Sequence, residues 1–169
     1  MRGLLVGRYQ PFHKGHLEVL SEALSKCDEL IVGIGSAQES HTLENPFTAG
    51  ERIEMIRRCL GKEKLSRTVT IPIPDVNRFA IWVSHVESFV PPFELVFTNN
   101  PLTRSLFEEK GYKVTPMKMY DRNRYAGTVI RERMLDGEKW EDLVPQQIRG
   151  YLKKLDGASR IKAATSKEE

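Results

Sequence analysis

Residues 3–24 read GLLVGRYQPFHKGHLEVLSEAL, and the hydrophobic period changes part-way through. Leu4, Leu5 and Val6 form an unbroken apolar run between Gly3 and Gly7, as expected of a strand covered on both faces of a parallel sheet. Past the polar stretch from Gly7 to His16, Leu17, Leu20 and Leu24 recur at i, i+3 and i+7, the stripe of a helix that packs on a sheet. A strand, a polar turn and a helix in succession predict the opening of a βαβ unit.

The alternation continues outward. Leu30–Ile34, Val69–Ile73, Leu95–Phe97 and the weaker Tyr112–Thr115 read as further strands. Ile53, Ile56 and Leu60 form a second helical stripe; Phe79, Trp82, Val83, Val86 and Val90 a third; Leu102, Leu106 and Phe107 a fourth; Ile148, Tyr151, Leu152 and Leu155 a fifth. Thr48 and Glu51 are spaced as a capping box, which predicts a helix over 49–60 entered from a turn at Asn45–Pro46. The fold class is therefore α/β: a doubly wound, Rossmann-like parallel five-stranded sheet with helices on both faces and a small helical C-terminal piece. Residues 1–135 are expected to form the α/β domain and 136–157 a helical extension of it. Asp156–Gly157 stops the last helix, leaving 158–169 as a charged, partly disordered tail. Such sheets bind ligands beyond the carboxyl ends of their strands, so the loops after Val6, Ile34, Ile73 and Phe97 are the places to look.

Composition sets the outer limits. A chain of 169 residues with 40 % hydrophobic side chains can build one core without disulfides or a structural metal. Cys27 and Cys59 are too few for a secreted framework and lack CxxC spacing, which favours a reducing cytoplasmic compartment. Leu4–Val6 is too short for the apolar core of a signal peptide, and no membrane span is expected. Residues 1–148 carry equal numbers of acidic and basic side chains, so the formal +3 arises in residues 149–169 and gives no argument for a nucleic-acid partner.

The chemistry concentrates in residues 7–16. Gly7 permits close backbone approach to a ligand, Pro11 stiffens the turn, and Gly15 leaves room beside the helix that starts here. The helix N-terminus offers unpaired N–H groups, and His13 and His16, one turn apart with Lys14 and Arg8 nearby, suit an anion. Two imidazoles bonded to a polyphosphate can stabilise charge growing on its oxygens without transferring protons. Other readings of the pair are metal ligation, for which no third and fourth ligand are evident (His41 and His85 do not cluster), and N-capping of the helix.

HKGH at 13–16 matches the HxGH signature of nucleotidyltransferases. The longer blocks GRYQPFHKGH, GSAQESHTLENPFTAGER at 35–52, the Trp82 helix and YAGTVIR at 125–131 together resemble archaeal-type nicotinamide-nucleotide adenylyltransferase. The resemblance covers roughly residues 2–155. It implies adenylyl transfer from ATP to nicotinamide mononucleotide, with NAD and pyrophosphate as products and His13, His16 and Arg131 stabilising the transferring phosphate. It further implies ATP contacts from Gly7, Arg8, Tyr9, Gln10, His13, Lys14, His16, Thr128 and Arg131, and nicotinamide-nucleotide contacts from Trp82, Asp75 and Ser36. Mg²⁺ would ride on ATP, with no metal site on the protein, and the assembly would be a homo-oligomer, up to a hexamer.

The second signature of the superfamily is Ile-Ser-x-Thr-x-x-Arg-like; Tyr125 and Ala126 depart from it, whereas Thr128 and Arg131 remain. Thr128 suits an N-cap with Arg131 one turn in. Trp82 suits the stacking of a nicotinamide ring, and it equally suits core packing beside Phe79 and Val86. Asp75 is either a partner for the carboxamide or a helix cap. Gly33–Gln38 lacks the third glycine of a dinucleotide fingerprint, and residues 36–47, with Ser36, Gln38 and His41, are expected to form a mobile loop beside the phosphates. In Thr98-Asn99-Asn100-Pro101, Asn99 replaces a glycine common in relatives and is expected to keep the same turn by tolerating positive φ. Sister cytidylyl- or pantetheine-phosphate adenylyltransferases share the chemistry, and a non-catalytic nucleotide sensor would bind through the same loop without turnover.

Overall fold

The computed structural model describes residues 1–118, 120–121 and 123–166. Contacts divide it into two compact units. One comprises Met1–Arg8, Val19–Ala37 and Lys62–Lys118; the other comprises Tyr9–Glu18, Gln38–Gly61 and the described part of Met119–Glu169.

The first unit holds the sheet. Strands β1 (Arg2–Gly7), β2 (Glu29–Ile34), β3 (Thr68–Pro72), β4 (Leu95–Phe97) and β5 (Lys113–Thr115) pair in the order β3-β2-β1-β4-β5, and every ladder is parallel. Leu4 registers with Ile31 and Val96, and Leu5 with Val32 and Phe97. Successive strand residues point to opposite faces. Leu4, Ile31 and Val96 enter a core with Val83 and Val86 of helix α4 (Phe79–Phe89) and Phe107 of α5 (Pro101–Glu109). Leu5, Val32 and Phe97 point the other way and are buried too. Each such fully buried aliphatic side chain contributes about 2 kcal/mol. Burial on both faces is why the strands read as continuous apolar runs. Helix α1 (Lys14–Leu24) starts in the histidine loop and buries Leu20, Ala23 and Leu24 in this unit; the short α3 (Lys62–Ser66) precedes β3. The strand order reverses between β1 and β4, the switch point at which ligands of such sheets are bound.

The second unit is helical. In α2 (Ala49–Cys59), the Thr48 hydroxyl accepts from the Glu51 amide at 3.1 Å and the Thr48 amide donates to the Glu51 carboxylate at 2.9 Å, closing the expected capping box. Helix α6 (Gly127–Asp136) ends at Gly137 in the left-handed conformation, φ 72°. Helix α7 (Gln146–Leu155) ends at Asp156, φ 52°, whose side chain accepts from the Ser159 amide and starts α8 (Gly157–Thr165). Residues 157–165 are thus helical where a charged tail was expected from 158. Asp156–Gly157 does stop a helix, but the same aspartate caps the next one. The surrounding charges hide a short buried stripe, Gly157 and Ile161, one turn apart. Arg160 of α8 makes a two-pronged bond to Glu51, at 2.6 and 2.7 Å. Residues 167–169 of the expected tail lie outside the described residues.

Candidate active site

The chain leaves β1 at Gly7 and enters α1 at Lys14. Tyr9 sits in the left-handed region at φ 54°, and the Gln10–Pro11 bond is cis. The His13 carbonyl accepts from the Leu17 amide at 3.1 Å, so His13 is the N-cap of α1 and His16 its third residue. The His16 amide donates to His13 Nδ1, and the His13 amide donates to His16 Nδ1, both at 3.2 Å. This is the capping-box exchange made by two imidazoles in place of Ser/Thr and Glu/Gln.

The exchange fixes the chemistry of both rings. A backbone N–H can donate only to an unprotonated nitrogen, so each neutral ring carries its proton on Nε2. The rings stack with centroids 3.5 Å apart and 18° between planes. Burial holds His13 down to about 4, and burial followed by the charge of His13 holds His16 well below the ordinary range. The pair is therefore neutral near pH 7, with two N–H donors at a helix N-terminus. Capping uses Nδ1 of each ring and leaves the Nε2–H on the opposite side, so it does not compete with a ligand for the same nitrogen. Gly15 is the residue that permits the stack: a Cβ there would lie 3.0 Å from His13 Cε1 and 3.0 Å from Tyr125 Cβ.

Arg131 belongs to the same unit. Its Nη1 donates to the Gln10 carbonyl at 2.7 Å, and its Nη2 to the Thr128 hydroxyl at 3.4 Å. A guanidinium from α6 is thereby tied to the loop that carries both histidines. Thr128 is not the N-cap expected for it. Ala126 occupies that position without a side-chain bond, and Thr128, the second helical residue, turns its hydroxyl to Arg131. Gln10 and Tyr9, expected at ATP, are 3 % exposed each. Both polar atoms of the Gln10 amide close on the Phe47 backbone, at 2.8 and 2.9 Å. The Tyr9 ring lies edge-on to His16 with centroids 4.8 Å apart. Lys14 is half-buried on the first turn of α1.

A cavity of about 220 Å³ opens in the other unit at the carboxyl ends of β1, β2 and β3, lined by Gly7, Arg8, Ser36, Asp75 and Trp82 among others. Gly7 and Arg8, expected at ATP, thus share a cavity with the three residues expected at the nicotinamide nucleotide. Trp82 takes part in core packing, its ring meeting Phe107 edge-on with centroids 5.4 Å apart, and it also lines the cavity. Asp75 is not a cap; it accepts from the Ser36 hydroxyl at 3.1 Å, and the N-cap of α4 is Arg78. Phe79 is 65 % exposed rather than part of the core stripe. Ser36 and His41 adopt positive φ. The segment expected to be a mobile loop is tied by His41 to Pro46, by Thr42 to Asn45 and by the buried Arg52 to the Glu39 carbonyl. Asn99 does not take positive φ; its amide instead brackets the Met117 backbone with two bonds of 2.8 Å.

The contacts that Phe47, Arg52 and Gly127 make around these loops are not evident from the sequence. Phe47 and Arg52 looked like ordinary members of a turn and a helix face, and only the glycine at the start of a good helix carried a signal. Among the described residues, no group of three or more His, Cys, Asp or Glu side chains is placed to hold a metal ion, and no helix is long and apolar enough to cross a membrane.

Residues 4–133 match the cytidylyltransferase-like family. A nicotinamide-nucleotide adenylyltransferase of Archaeoglobus fulgidus is 51 % identical over 173 aligned residues, covering 99 % of both chains. One from Pyrococcus furiosus is 53 % identical over 164, covering 95 % of this chain and 87 % of the relative. A bifunctional NMN adenylyltransferase/ADP ribose pyrophosphatase from Francisella tularensis, complexed with AMP and a Mn ion, matches with a TM-score of 0.79 at 20 % identity. That match covers 98 % of this chain and 52 % of the longer one, and the likeness is one of fold.

Proposed function

Given that the chain belongs to the cytidylyltransferase-like family and, within it, to the nicotinamide-nucleotide adenylyltransferases, we propose that the histidine loop and Arg131 carry its adenylyl transfer. The reaction joins nicotinamide mononucleotide to the adenylyl group of ATP. The 5′-phosphate oxygen of the mononucleotide attacks the α-phosphorus in line, the bond from the α-phosphorus to the bridging oxygen breaks, and pyrophosphate leaves as NAD forms. No covalent bond to the protein is needed, so catalysis is positioning and stabilisation of charge.

Charge grows on the oxygens around the α-phosphorus and on the departing bridge. The Nε2–H groups of His13 and His16 donate to those oxygens, and Arg131 supplies the fixed cation. Lys14, in the first turn of α1, adds a second positive charge. As the imidazoles are neutral donors held by backbone amides, they stabilise this charge without giving up a proton. ATP enters as its Mg²⁺ complex. Imidazole and guanidinium groups are poor magnesium ligands, so the ion stays on the phosphate oxygens. Trp82 stacks on the nicotinamide ring while Asp75, oriented by Ser36, accepts from its carboxamide N–H. The enzyme works as a homo-oligomer in the cytoplasm, an assembly that would cover the exposed Phe79, Ile81 and Phe89 of α4.

The observation that carries this reading is the reciprocal bonding of His13 and His16, with Arg131 tied to the carbonyl of Gln10 in the same loop. The test is an end-point assay with MgATP and a panel of mononucleotides. NAD should form from nicotinamide mononucleotide, and His16→Ala should lower kcat by about 10²–10³ while the protein stays folded. Turnover with another phosphorylated acceptor but none with nicotinamide mononucleotide would sink the substrate assignment. Near-normal pyrophosphate release by His16→Ala would remove that side chain from the mechanism.

A further inference from the structure

Arg131 is placed by a contact that leaves no room for a side chain at position 127. A Cβ added to Gly127 would lie 2.8 Å from Arg131 Nη1 and 3.1 Å from the Gln10 carbonyl oxygen, the two atoms that share the 2.7 Å hydrogen bond. Gly127 has no positive φ and is the first residue of α6, so its backbone conformation does not require glycine. At a helical position, alanine would be favoured over glycine by as much as about 1 kcal/mol. What glycine supplies here is space.

The carbonyl that receives Arg131 is itself immobilised. The Gln10 side chain is buried and grips the Phe47 amide and carbonyl together. Phe47 is fully buried, and its ring lies against α8 so closely that a Cβ on Gly157 would come within 2.9 Å of it. An unbroken series of contacts therefore runs from the C-terminal helix through Phe47 and Gln10 to Arg131, within one compact unit.

We propose that Gly127 and Gln10 are positioning residues for Arg131. Gln10 fixes the carbonyl that anchors the guanidinium, and Gly127 keeps clear the space in which the two meet. This rests on Arg131 being a ligand of the reacting phosphates, as proposed above, and the experiment separates the two ideas.

Gly127→Ala, Arg131→Ala and the double variant are compared for kcat, for KM of each substrate and for Tm. The atom nearest the new methyl is the end of a flexible side chain that can move aside, but the Gln10 carbonyl at 3.1 Å is fixed, so Gly127→Ala should fold with a modestly lowered Tm. Displacing the guanidinium by about 1 Å should lower kcat by up to about a hundredfold, with KM for nicotinamide mononucleotide unchanged. In the Arg131→Ala background the same methyl should have no further effect on kcat, because groups acting through one another are not additive. Gln10→Asn, too short to hold Phe47, should show the same loss of kcat and the same silence once Arg131 is gone; it decides the matter should Gly127→Ala fail to fold. Full activity of Gly127→Ala beside a crippled Arg131→Ala would overturn the positioning role alone, as would a loss that persists undiminished in the double variant. Full activity of Arg131→Ala would overturn its phosphate role, and the positioning role with it.

Discussion

Replacing His13 by Asn and His16 by Gln keeps the hydrogen-bond pattern of a helix start, since Asn is a good N-cap and Gln completes a capping box, but it removes both titrating rings. The native protein should then lose stability in acid faster than the variant. In the unfolded chain His13 titrates at its ordinary 6.5, and in the fold burial holds it down to about 4. Between those values the unfolded state binds the extra proton. The contribution is therefore complete above pH 6.5, drains away as the pH falls from there towards the folded value, and levels off below it. With His13 5 % exposed, little solvent screening applies. The shift corresponds to about 2 kcal/mol lost by pH 5 and about 3 kcal/mol by pH 4. His16 shifts in the same direction and adds to the loss. Urea unfolding of both proteins at intervals from pH 7.5 to 4.5 measures this, because groups common to the two cancel in the difference. A stability difference that stays constant over that range would refute the neutral, Nδ1-accepting state assigned to the histidines.

Gly15→Ala places a methyl 3.0 Å from the His13 ring and should lower kcat tenfold to a hundredfold with a small change in Tm; unchanged turnover in a pyrophosphate-release assay would show that the ring stack is dispensable. Trp82→Ala should raise KM for nicotinamide mononucleotide more than KM for ATP, and equal effects on both would assign the ring to packing against Phe107. Arg160→Leu leaves Glu51 half-buried without its two-pronged partner and should cost about 2 kcal/mol in urea unfolding. Burial pushes the Glu51 carboxyl up, but the bonds from Arg160 and Thr48 outweigh it and hold it below its ordinary value; the stability deficit of the variant should therefore be full near pH 7 and shrink as the pH falls through the titration of Glu51.

Much of this was legible in the residues because strong periodicity leaves few alternatives. The two-sided burial of β1, β2 and β4 forces unbroken apolar runs, so the strands announced themselves. Thr48 and Glu51 gave the start of α2 outright. The histidine spacing offered both capping and ligand binding, and the capping exchange itself could not be read from it. Capping by imidazole looks the same in sequence as ligation by it, and the nitrogen assignment follows only from which atoms the backbone amides reach. Thr128 lies two positions past the N-cap expected of it, enough to convert a cap into a partner of Arg131. Asn99 illustrates a limit of reasoning from backbone tolerance: its side chain, not its φ, is what the fold uses. Helix α8 was missed because the apolar stripe that anchors it is only two residues long.

The central strand imposes an order on how the protein can be made. β1 is made before both of its neighbours; β2 follows soon after, and the other, β4, is Leu95–Phe97. Until synthesis has passed Phe97, one edge of β1 has no strand to pair with and shows bare amides and carbonyls to whatever is near. Long-range parallel pairing of this kind closes late and slowly. A nascent chain stalled before Phe97 should therefore be a client for chaperones and open to proteases, and release of β4 should end that exposure in a single step.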